Sequence, residues 1–75
     1  MPKPPKVSGK AAIRALERLG FLQIRQQGSH IILKKQTPGG EIGCVVPLHR
    51  ELAVGTLRSI LKQAKIDLKK FAENL

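Results

Sequence analysis

The sequence predicts an α+β domain in the order α-β-β-β-α, with a short C-terminal helical extension. Three observations lead there. Apolar residues recur at helical spacing near both ends of the chain, and three short segments with strand-like alternation lie between them, separated by turn residues. The chain has 75 residues, and a domain of this size removes only about 60% of its unfolded surface from water, so it holds one small core. The aromatic share is 3%, supplied by Phe21 and Phe71, so Ile, Leu and Val carry the burial. A deep enclosed pocket is excluded, and any site belongs on the surface.

The elements follow in order. MPKPPKV, residues 1 to 7, has three prolines and two lysines; the fixed φ angles and missing amide donors disfavour helix, and the stretch reads as a flexible basic tail before a single domain over residues 8 to 75. Ser8 can cap a helix over residues 9 to 19, with Ala12, Ile13, Leu16 and Leu19 on one face and Gly20 free to end it in the left-handed conformation. Lys10, Arg14 and Arg18 fall four apart on another face and form a basic stripe. FLQIRQQ, residues 21 to 27, alternates Leu22 and Ile24 with Gln23, Arg25 and Gln27, the period of a half-buried strand. Gly28 and Ser29 break that pattern, and the next strand, residues 30 to 35, returns antiparallel as a hairpin.

QTPGGE makes a second turn, with Pro38-Gly39 suited to type II geometry, and IGCVVP is the third strand. After the loop LHRELAVG, residues 56 to 65 place Leu57, Ile60, Leu61 and Ala64 on one face of a second helix. Asp67 can cap a final turn whose Leu68, Phe71 and Leu75 fold back on the body. Two helices cover one face of so small a sheet, and the other face is left to solvent.

Charge is the strongest compositional signal. Fourteen Lys and Arg against five Asp and Glu leave +9 on a very small body, which points to a polyanionic partner. Nucleic acid leads, because Lys and Arg on phosphates release condensed counterions and give sequence-independent affinity. An acidic protein comes second. An anionic membrane surface comes third, since the usual basic helix with bulky aromatics opposite is missing. The single cysteine, Cys44, excludes an internal disulfide, and nothing resembles a signal peptide or a spanning segment, so the chain reads as cytosolic.

In residues 30 to 35, alternation puts Ile31, Leu33 and Lys35 on one side and His30, Ile32 and Lys34 on the other. The aliphatic pair suits the covered face, so His30 points outward beside Lys34. From the strand pattern alone, an ordinary surface histidine is favoured over a catalytic one. His30, Cys44 and His49 match no zinc spacing, Ser29 adjoins His30 in a strand and its side chain should diverge, and the five carboxylates are dispersed. No metal or other cofactor is called for. RNA cleavage is the reaction this inventory supports, because the substrate carries its own nucleophile in the ribose 2′-hydroxyl. An imidazole can accept that proton or protonate the leaving 5′-oxygen, a contribution of typically ~10²–10⁴ in rate. Lys34 and Lys35, with Arg25 on the neighbouring strand, can stabilise charge on the phosphate.

GKAAIRALERLGF, RQQGSHIIL, VPLHREL and GTLRSILKQAKI, in that order and spacing, resemble the HicA toxin family of small prokaryotic endoribonucleases, from about Ser8 to Phe71. The resemblance implies a double-stranded-RNA-binding-domain-like fold, metal-independent cleavage of mRNA and arrest of translation. It implies His30 as the catalytic residue of a Gly-Ser-His motif, with Gly28 allowing the turn and Ser29 orienting the imidazole or a phosphate. Lys10 and His49 join the RNA-binding set, and His49 falls in a Pro-x-His segment whose role the resemblance leaves open. A HicB-type antitoxin that masks the active surface is implied as partner. Lys65 departs from the glycine usual at the end of the second helix. The alternative reading is a non-catalytic basic RNA-binding module, with an acidic-protein interaction subunit third.

Overall fold

A computed structural model describes residues 4–75. Helix α1 (Gly9–Arg18) is followed by strands β1 (Leu22–Gln27), β2 (His30–Thr37) and β3 (Gly40–Pro47), then by helices α2 (Val54–Ala64) and α3 (Leu68–Glu73). The strands form one antiparallel sheet in the order β1-β2-β3. Helix α2 lies mainly against β3, and α1 against β3 and β1. The α+β order read from the sequence is the observed one.

Helix α1 starts where Ser8 accepts a hydrogen bond from the Ala11 amide at 3.0 Å, removing one of the four orphan donors of a helix start. It ends in a Schellman motif at Gly20, φ 101°: the Phe21 amide reaches Leu16 O and the Gly20 amide reaches Glu17 O, each at 3.0 Å. The buried face holds Ala12, Ile13 and Leu16 as expected, and adds Ala15. Helix α2 begins two residues earlier than its periodicity suggested, with Ala53 at the N-cap and no side-chain cap bond. Asp67 caps α3 by accepting from the Lys70 amide at 2.7 Å. This helix docks through Phe71, which is fully buried, whereas Leu75, expected to fold back, stays exposed.

The core runs from Val7 to Phe71 and is built from Ile31, Leu33, Cys44 and Val46 of the sheet, with α1 and α2 above them. Val7 lies inside the stretch read as a flexible tail. Its side chain is buried and its carbonyl accepts from Leu52 at 2.8 Å, so the packed body includes it. Residues 1–3 of that stretch lie outside the described residues.

Strand β1 departs most from expectation. All six of its residues are exposed, including Leu22 and Ile24, which were expected to be half-buried. Phe21, one residue before the strand, fills the core in their place. The physical reason is twofold: register sets Leu22 opposite Lys34, on the face turned away from the helices, and the strand carries a bulge at Ile24. Leu22 and Gln23 pair with Lys34 and Leu33, whereas Arg25, Gln26 and Gln27 pair with Ile32, Ile31 and His30, leaving Ile24 without a partner. A second correction concerns the β2–β3 turn. Type II geometry needs positive φ at Gly39, but the positive φ, 121°, is at Gly40.

Two backbone details hold the end of the sheet to α1. The Gly9 amide donates to His49 O at 2.8 Å. A Cβ at Gly9 would overlap the Pro47 carbonyl oxygen and press on the Leu48 Cα. We expect Gly9→Ala to destabilise the protein by about 2 kcal/mol, because overlap with fixed backbone costs more than the better helix propensity of Ala returns; urea unfolding measures this, and equal or greater stability would contradict the close approach. Lys65 takes the left-handed conformation, φ 56°, that closes α2, with the Ile66 amide on Leu61 O at 3.0 Å. The cap therefore forms despite the missing glycine. An L-residue there costs roughly 1–2 kcal/mol, partly offset by its lower unfolded-state entropy, so Lys65→Gly should stabilise by about 1 kcal/mol, read as a raised thermal midpoint.

Candidate active site

The open face of the sheet is defined by register. Ile31, Leu33, Cys44 and Val46 are buried under the helices, so the residues between them point the other way. On that other face stand His30, Ile32 and Lys34 of β2, flanked by Gln27, Arg25 and Leu22 of β1 and by Pro47, Val45 and Gly43 of β3. His30 is exposed and is the first residue of β2, directly after the hairpin turn.

The turn itself follows from Gly28. Its φ is 58°, and Ser29 has no positive φ, the combination of a type II′ hairpin turn with glycine first. Gln26 braces it by donating from Nε2 to Gly28 O at 2.8 Å. Ser29 acts through its backbone, whose carbonyl accepts from the Leu48 amide at 2.7 Å. That bond ties the Gly-Ser-His turn to the Pro47–His49 segment, which Gly9 ties in turn to α1. His30, His49 and the start of α1 therefore meet at one end of the molecule.

The bulge decides which side Arg25 takes. In an unbroken ladder continuing from Leu22 and Gln23, Arg25 would face Ile31 and point to the helix side. The extra residue Ile24 shifts it opposite Ile32, onto the face of His30 and Lys34. Lys34 forms an ion pair with Glu41 at 3.1 Å, with both side chains substantially exposed. Such pairs contribute about 0–1 kcal/mol, so an incoming phosphate can displace the carboxylate at little cost.

Lys35 does not join this group. It lies on the helix-covered face, where its Nζ donates to Leu19 O at 2.8 Å and stands 5.9 Å from the centre of the Phe21 ring. A cation at the C-terminal end of α1 satisfies an orphan carbonyl and complements the helix dipole. Its expected phosphate role is thus replaced by a structural one, because strand parity separates it from Lys34. Lys10 belongs to the helix layer but reaches the same end of the sheet. It lines an open recess with Ser8, Leu48, His49 and Arg50.

Cys44 is on the covered face, and burial pushes its thiol up to about 11, so it is held as a neutral core group. Among the described residues, no three His, Cys, Asp or Glu side chains are grouped to hold a metal ion, and no helix is long and apolar enough to cross a membrane. Gln26, Gly9 and Gln63 were not singled out by sequence reasoning. Gln63 accepts from the Val45 amide at 3.2 Å and covers the outer edge of β3. Each acts through a backbone partner distant in sequence or at a turn, for which spacing leaves no signal.

None of the curated proteins compared matches the chain. The family described as HicA toxin of bacterial toxin-antitoxin matches residues 9–66, from the first residue of α1 to just beyond α2. That span covers well over half of the chain and includes the hairpin turn, the Pro47–His49 segment bonded to it and the start of α1, so the protein belongs to the HicA toxin family and is the toxin of a toxin–antitoxin pair, with a HicB-type antitoxin implied as its partner.

Proposed function

We propose that this toxin is a metal-independent endoribonuclease that cleaves mRNA with His30 as its acid–base residue and so arrests translation. The observation that carries the reading is an exposed histidine at the hairpin end of an open sheet face, with Arg25 and Lys34 as the cations of the same face. In the reaction, the 2′-oxygen attacks phosphorus and loses its proton, the bond from phosphorus to the 5′-oxygen breaks, and that oxygen takes up a proton. His30 performs one of the two transfers and water the other. Arg25 and Lys34 offset the charge that builds on the phosphoryl oxygens. Gly28 allows the turn, Ser29 holds it to the Pro47–His49 segment, and Lys10 and His49 bind RNA beside it. The antitoxin would act by covering this face, whose exposed Leu22 and Val45 are suited to a protein surface.

The competing reading is non-catalytic RNA binding. It draws on one feature: the only carboxylate on the strands is Glu41 of β3, which pairs with Lys34 and stands opposite Gln36, toward the other end of the ladder from His30.

Inducible expression of wild type beside His30→Ala, with mapping of RNA ends, separates the two. Cleavage and growth arrest should fall by at least about 10²-fold in the variant while its unfolding midpoint is kept. Undiminished cleavage removes His30 from the mechanism, and salt-dependent binding without turnover in wild type favours the binding module. With purified protein in EDTA, the products should carry a 2′,3′-cyclic phosphate and a 5′-hydroxyl. A 5′-phosphate would indicate an activated water and overturn the scheme.

A further inference from the structure

Four cations lie beside the histidine end of the sheet without serving the face of His30. Lys6, Lys10 and Arg14 line a groove of ≈ 550 Å³ along α1, together with Arg18, whose guanidinium donates to Asn74 O at 2.7 Å, and Lys10, His49 and Arg50 line a recess of ≈ 350 Å³ where α1 meets the Pro47–His49 segment. The two share Ser8 and Lys10, so they adjoin across the start of α1, and together they are called the channel below. Lys6, Lys10, Arg14 and Arg50 are all exposed, and the only ion pair among the described residues is Lys34 with Glu41, elsewhere. Lys10 and Arg14 stand one helical turn apart, about 6 Å along the axis. The channel reaches the reaction site through backbone, since Leu48, which lines the recess, donates to Ser29 O next to His30.

A globular surface ordinarily intersperses its cations with acids. Here the acids beside them are Glu51, next to Arg50 in sequence, and Glu17, which lines a recess with Lys10 and Arg14 and accepts a 3.4 Å hydrogen bond from Gln23, and neither is ion-paired with them. A row of unneutralised cations running away from a reactive group fits a strand with regularly spaced phosphates better than it fits one small anion.

Resting on the ribonuclease reading, we infer that Lys6, Lys10, Arg14 and Arg50 form a phosphate track that holds one flank of a single-stranded RNA, so that the substrate is a chain extending several nucleotides to one side of the cleaved bond. Lys10 stands where the two parts of the channel join. Lys6 and Arg14 hold the phosphates farthest from the chemistry. They are positioning residues, and their effect grows with substrate length.

The test uses the full-length His30→Ala protein, which leaves RNA intact, and fluorescent oligouridylates from a trinucleotide to a dodecanucleotide. Affinity should rise with length. Adding Lys6→Gln and Arg14→Gln should cost about tenfold for the dodecanucleotide, nothing for the trinucleotide, and should lower the salt slope by about 1.4, from ~0.7 per phosphate contact. The control pair Arg58→Gln and Lys62→Gln on α2 should leave both unchanged. Equal losses in the control pair, or an equal loss with the trinucleotide, would overturn the track. Wild type that cleaves RNA but shows no length dependence would overturn the track alone, whereas absence of both binding and cleavage would overturn the ribonuclease reading with it. Polyglutamate of equal charge bound as tightly through the same two residues would assign the channel to an acidic protein segment instead.

Discussion

Gly9 has no side chain, and the Pro47 carbonyl and Leu48 Cα occupy the space that one would need. This approach lets the Gly9 amide reach His49 O, while the neighbouring Leu48 amide reaches Ser29 O on the other side. One extended segment is thus clamped between the first helix and the first hairpin. The start of α1, the Gly-Ser-His turn and the histidine loop come from three separate stretches of chain, and these two hydrogen bonds with one close contact bring them together. Because backbone groups make the bonds, side-chain changes nearby disturb the arrangement less than a methyl group added at Gly9.

A molecule this small builds its site by separating duties between the faces of one sheet. The covered face takes Ile31, Leu33, Cys44 and Val46, and with them Lys35, whose ammonium closes the C-terminal end of α1. The open face keeps His30, Arg25 and Lys34. Adjacent lysines therefore have unrelated tasks. On the ribonuclease reading proposed above, such an economy suffices, since the substrate brings its own nucleophile and charge carries most of the recognition.

The edge strand shows how local irregularity shapes function. An unbroken β1 would send Arg25 toward the helices and away from His30. The unpaired Ile24 reverses the parity of every following residue and leaves an exposed apolar side chain on the edge. An exposed edge is a liability for a soluble chain, and on this toxin it lies beside the surface that the antitoxin is proposed to cover.

Much of this protein was legible in the sequence by itself. The period of Leu57, Ile60, Leu61 and Ala64 placed the second helix, Ser8 and Gly20 bounded the first, and the alternation in HIILKK put His30 outside and Leu33 inside. These are local signals, set by backbone geometry within a few residues. Tertiary structure alone decided the rest. Whether Leu22 was buried depended on which face of the sheet the helices cover, the side taken by Arg25 on a one-residue bulge, and the fate of Lys35 on a helix end sixteen residues away. The value of Gly9 depended on a loop nearly forty residues downstream in the chain. Each of these is a contact between segments far apart in sequence, and residue spacing along one segment carries no information about what packs against it.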